Sequence, residues 1–131
     1  MGYRWVEHTG EVELEIEAPT EEAVFSEALL ALAELLGDGP REDRISSEIA
    51  VAGEERALLL ARWLEELVYR AETENLVPEE VERIELAERG LHAVVRCRRG
   101  TSRHLVKGVT YHRLAFEPAP GGFRARVVLD V

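Results

Sequence analysis

The sequence has one cysteine, Cys97, and one lysine, Lys107, among its 131 residues. A lone thiol cannot build a disulfide framework or a cysteine-based metal cluster within one chain, and it suits a reducing compartment. With 10 glycines and 5 prolines, the chain is neither collagen-like nor low-complexity. No apolar run approaches the roughly 20 residues a membrane helix needs. The opening Met-Gly-Tyr-Arg-Trp-Val-Glu-His has no apolar signal segment, so a cytoplasmic protein without a membrane partner is expected. A glycine-rich phosphate loop, a nucleophile elbow, His-Glu-x-x-His and Cys-x-x-Cys are all missing. The histidines His8, His92, His104 and His112 are scattered, with no short metal-ligand spacing. Nothing here points to an enzyme acting alone.

What is present is the composition of one folded domain over residues 1–131, with 46% hydrophobic and 32% charged residues. The net charge of −10 is unevenly spread: residues 1–95 hold 24 acids and 8 bases, residues 96–131 only 2 acids and 8 bases. A basic tail could hold nucleic acid. Because the basic segment also alternates with apolar residues, acidic and basic strands lying side by side in one sheet is the favoured reading. Phosphate repulsion by so acidic a chain opposes tight autonomous nucleic-acid binding.

Glu11 to Glu17 alternates strictly, with Val12, Leu14 and Ile16 on one face and four carboxylates on the other, which predicts a half-buried strand. Thr20 as N-cap, acids in the first turn and apolar residues at helical spacing predict a helix over about 20–36, closed by Gly37-Asp38-Gly39-Pro40. Residues 44–51 read as a strand. A wide apolar stripe from Leu58 to Val68 predicts a second helix from Glu54 to about Thr73. Strands are expected over 77–87, 91–98, about 105–116 and 123–131, with turns at 88–90 and 118–122. Strands in runs favour an α+β two-layer sandwich, two helices packed on one face of a mostly antiparallel sheet.

The final strand carries Arg124, Arg126, Val128 and Asp130 on one face. An antiparallel register that opposes Glu11 to Asp130 sets Glu15 against Arg126 and Glu17 against Arg124. It leaves Glu11 facing Asp130, with the carboxylate of Val131 close by. Like charges at that range repel unless a proton or a cation intervenes. Oxygen ligands without sulfur or clustered imidazole favour Mg, Ca or Mn. A solvated acidic strand edge is the plainer reading of the same residues.

His8-Thr9-Gly10-Glu11, the stretch Leu58 to Glu74, Lys107-Gly108-Val109-Thr110-Tyr111-His112 and the terminal Val127-Val128-Leu129-Asp130-Val131 occur in this order and span the chain. Together they resemble the archease family. Two positions depart from the family pattern. Glu11 stands where the family typically has Asp, which lengthens that carboxylate by one methylene, and Glu65 stands where it typically has Asn. The resemblance implies a non-enzymatic protein cofactor of an RtcB-type RNA ligase, the class that joins 2′,3′-cyclic phosphate or 3′-phosphate RNA ends to 5′-hydroxyl ends in tRNA splicing and RNA repair. Such a cofactor promotes guanylylation of the ligase and multiple turnover, and it meets RNA and GTP only through the ligase. The resemblance assigns Glu11, Asp130 and Val131 as ligands of a divalent metal ion (Ca, Mg or Mn). It assigns Lys107 to assist the partner's chemistry, and His8 and His112 are candidates to support the metal ligands from outside. A stand-alone metal-dependent phosphoester hydrolase and a general chaperone or modulator are the competing readings.

Other residues have plain structural roles to fill. Trp63 and Tyr69 are expected as core or partly buried packing. Cys97, between two arginines, is expected as a packed strand residue, and Arg98 to His104 as a solvated loop.

Overall fold

The computed structural model of the chain describes residues 2–37, 39 and 43–131. The strand β1 (Gly2–His8) is followed by β2 (Glu11–Ala18), helix α1 (Glu21–Leu36), β3 (Arg44–Ala52) and helix α2 (Arg56–Thr73). Then come β4 (Leu76–Ala87), β5 (Gly90–Arg99), β6 (Gly108–Ala119) and β7 (Gly122–Asp130). All pairings are antiparallel. The fold class is the expected α+β, but the strands form two sheets rather than one. One has four strands in the order β1-β2-β7-β6, the other three in the order β3-β5-β4.

Local chemistry explains most boundaries. Thr20 is extended and its hydroxyl accepts from the Ala23 amide at 3.1 Å, capping α1 as its residue type predicts. Gly37 closes that helix at φ 92°, its N–H donating to Ala33 O. Asp38 and Pro40 of the predicted terminator lie outside the described residues. The predicted turn over 118–122 shrinks to Pro120-Gly121, because β6 continues through Pro118 and Ala119, which pair with Phe123 and Gly122. An edge strand tolerates Pro118, since the missing N–H is not required on its open side. At Gly122 an added Cβ would meet Ala18 O at 2.2 Å, so only glycine allows this close approach. The start of β6 is later than predicted, since 100–107 is irregular.

The helices cover the inner faces of both sheets. Leu14, Ile16, Val127 and Leu129 from one sheet and Ile49, Ala93, Val95 and Cys97 from the other are buried with Phe25, Leu29, Leu32, Trp63, Leu64 and Leu67 of the helices. Trp63 donates its indole N–H to Phe25 O at 3.0 Å, which satisfies the polar atom of the largest core side chain. Cys97 is packed as expected, and burial pushes its thiol up to about 11. Two expectations fail. Tyr69 is 55% exposed because it lies outside the apolar stripe of α2. Arg98 is buried rather than solvated: at the end of β5 its guanidinium donates to Gly37 O at 3.0 Å and so bridges β5 to the end of α1.

Candidate functional site

The uncovered face of the four-stranded sheet carries the candidate residues. Its register is the one that opposes Glu11 to Asp130, Glu13 to Val128, Glu15 to Arg126 and Glu17 to Arg124. The pairing on β1 adds His8 opposite Glu11, and that on β6 adds Gly108 opposite Asp130. One row across four strands therefore reads His8, Glu11, Asp130, Gly108.

Backbone hydrogen bonds lock that row in place. The Lys107 N–H donates to Asp130 O at 2.7 Å, and the Val131 N–H donates to Gly10 O at 3.1 Å. Gly10 takes φ 73° in the two-residue turn between β1 and β2, a conformation that favours glycine. Lys107, Glu11, Asp130 and Val131 are thus gathered at one end of the sheet, with His8 beside them. His112 is not in that row. It lies four residues further along β6, in a stretch where residues 111–114 bulge out opposite a single residue of β7, between the pairs Thr110–Val128 and Ala115–Arg126.

The charge partners differ in detail from expectation. Glu17 pairs with Arg124 at 3.6 Å as predicted. Glu15 instead pairs with Arg4 of β1, its neighbour on the other side. Arg126 turns to the bulge and donates through Nε to Arg113 O at 2.8 Å. That bulge also brings Arg113, at φ 61°, over the sheet, where its guanidinium lies 2.8 Å from the buried Glu13 carboxylate. Neither β1 nor the bulge is anticipated above. Tyr3-Arg4-Trp5, an aromatic alternation suited to a strand, is the signal that marks β1. The pairs Arg96–Glu80, Arg99–Asp43, Arg113–Glu13 and Arg124–Glu17 each join the acid-rich and base-rich parts of the chain, so side-by-side strands account for the charge asymmetry.

Chemically, the row is a pair of partly exposed carboxylates that face one another, with Val131 one residue on. Such oxygen donors suit a hard divalent cation. Among the described residues, no group of three or more His, Cys, Asp or Glu side chains is assembled to hold a metal. Glu11 and Asp130 would therefore need Val131, water or a partner to complete a coordination shell.

A small antiparallel α+β sandwich with two paired acids and a lysine at one sheet end defines the class of protein. The chain belongs to the archease family: the profile of the Archease protein family matches residues 3–131. It is 32% identical over 139 residues to the protein archease of Archaeoglobus fulgidus and 31% identical over 140 residues to that of Methanopyrus kandleri, in both cases across 100% of each chain. Its fold is similar to the solution structure of Methanobacterium thermoautotrophicum protein 1598, with a TM-score of 0.74 at 26% identity over 99% of both chains. It is also similar to the crystal structure of a Thermotoga maritima archease, described as a possible chaperone. There the TM-score is 0.73 at 25% identity, over 96% of this chain and 94% of that one.

Proposed function

We propose that this archease-family chain is a non-enzymatic, metal-binding cofactor of an RtcB-type RNA ligase, promoting ligase guanylylation and multiple turnover in tRNA splicing or RNA repair. The observation that carries this reading is the row in which Glu11 opposes Asp130 while the Lys107 N–H bonds to Asp130 O. Two facing acids repel, and the fold gives neither a base in register other than His8. That is a poor solution for stability and a good one for a hard divalent ion.

Glu11, Asp130 and the Val131 carboxylate would hold Ca, Mg or Mn, which when bound supplies positive charge against phosphate oxygens. His8 stands in register to steady Glu11. Lys107, exposed beside them, offers a compact ammonium that reaches one phosphate oxygen, where a guanidinium would present a broad planar fork. A site with so few protein ligands is completed by docking, so RNA and GTP meet this chain only within the ligase.

The test is ligation with limiting ligase, excess RNA ends and GTP, with and without the protein. Added protein should raise both turnover number and ligase guanylylation; no change in either overturns the reading. Lys107→Arg should keep ligase binding yet slow guanylylation at least tenfold, because one well-placed electrostatic contact contributes about 2.7–4 kcal/mol to catalysis. The description of the Thermotoga relative supports a second reading as a chaperone. It predicts suppression of aggregation of unrelated proteins, independent of Lys107.

A further inference from the structure

Four large hydrophobic side chains stand exposed among the described residues, and two of them, Tyr69 of α2 and Tyr111 of β6, stand where that helix meets that strand. Single exposed apolar residues are ordinary, but a group at one edge marks a contact surface. Helix and strand are tied there: the Tyr111 hydroxyl donates to Glu65 Oε1 at 2.6 Å, and that bond holds the phenol in its protonated form.

Between α2 and the start of β6 runs a groove of about 300 Å³, with Glu65, Tyr69 and Glu72 on the helix wall and Lys107 and Gly108 on the strand wall. A second opening, of about 550 Å³, lies on the other side of Tyr69 against Val51, Ala52 and Arg62, whose guanidinium donates to Ala52 O at 2.8 Å. Tyr69 is therefore a ridge between two depressions, and it is 55% exposed. Residues 65, 69 and 72 share one helical stripe, so a carboxylate flanks the ring on each side along the helix. At the strand wall Lys107 is bonded through its N–H to Asp130 O, which makes the groove continuous with the candidate cation site.

We infer that this groove seats an arginine-bearing segment of the partner protein, with a guanidinium on the Tyr69 ring between Glu65 and Glu72; this rests on the accessory role proposed above. A planar guanidinium both stacks on an aromatic face and pairs with carboxylates, which a lysine ammonium does less well. Glu65 is already oriented by Tyr111, so little side-chain freedom is lost when a cation arrives. Tyrosine is a rigid, amphipathic anchor of the kind that dominates interface energetics. With the segment against the acidic helix wall, Lys107 on the opposite wall and the Glu11–Asp130 row next to it face the ligase.

Calorimetric titration of the RtcB-type ligase into the full chain tests the inference with Tyr69→Ala, Glu72→Arg and, as a control at another exposed apolar residue, Leu30→Ala. Tyr69→Ala and Glu72→Arg should each raise Kd roughly tenfold or more, while Leu30→Ala leaves it unchanged. Calcium titration of the isolated variants should match wild type, which separates the groove from the cation site. Wild-type affinity in both groove variants overturns the inference while leaving the accessory role intact. Failure of the wild-type chain to bind the ligase overturns both. A dimer of this chain that Tyr69→Ala dissolves, with ligase affinity unchanged, overturns the inference in favour of a second copy as the occupant.

Discussion

The two ends of one sheet face are built from the same strand pair, yet their charges are handled in opposite ways. At the end marked by Arg4, Glu15, Glu17 and Arg124, acids meet bases across the strands. In the middle, the bulge of β6 brings Arg113 over the buried Glu13. At the other end Glu11 meets Asp130. Matched charges there would have required only a basic residue at position 11 or 130, as position 124 demonstrates on the same strand. The contrast teaches that neutralised acids on this face serve the fold, whereas the unmatched pair is a cost the proposed cation offsets.

The largest effect is expected where that contrast is broken at its unmatched end. Asp130→Ala should weaken Ca, Mg and Mn binding at least tenfold by calorimetry, while the cation-free protein unfolds at the same temperature or slightly higher, because one of two repelling carboxylates is gone. Unchanged cation affinity would move the site elsewhere. A smaller but opposite result should follow at the matched centre. Glu13→Ala removes a buried carboxylate and its ion pair, and urea unfolding should report a loss of about 1–3 kcal/mol; a neutral substitution would show that the bulge is held by packing alone.

A control away from both ends is Cys97 in the other sheet. Its folded-state pKa, raised by burial to about 11, lies above the ordinary value of 9.0, so the native state holds its proton more tightly than the unfolded chain. The resulting stability is fully present below pH 9 and is lost as pH rises through 11. Denaturation across that window should show wild type losing about 1–2 kcal/mol more than Cys97→Ala. Equal slopes would contradict a buried thiol. The smallest effect is expected for Arg4→Ala: the guanidinium is exposed, its pair with Glu15 is open to solvent, and the change should register within about 1 kcal/mol and shrink further in salt.

Alternation and caps make much of this architecture legible in the sequence. The strict period of Glu11 to Glu17 and the matching period of residues 123–131 determine which faces turn inward, and the opposed acids follow from one choice of register. Thr20 and Gly37 mark α1 because their chemistry is local. What could not be read from spacing is decided by distant partners. The division into two sheets depends on how β3, β5 and β4 close around the helices. The bulge at 111–114 needs a left-handed Arg113, a conformation arginine rarely takes, which its residue type does not announce. Glu15 chose Arg4 over Arg126 because β1, unseen in the pattern, supplies a competing base on the same row.

The order of strands in the four-stranded sheet has a further consequence for how the molecule is made. Its members come from the two ends of the chain, β1 and β2 from one and β6 and β7 from the other, whereas β4 and β5 form a hairpin joined by a short turn. Local pairings close quickly, while bringing residue 11 to residue 130 carries nearly the full loop-closure entropy of the chain. Late closure of the Glu11–Asp130 row is therefore the expectation for a refolding molecule. Any ligand that requires both carboxylates binds only molecules in which β2 and β7 are paired and, by binding them, stabilises that long-range pairing.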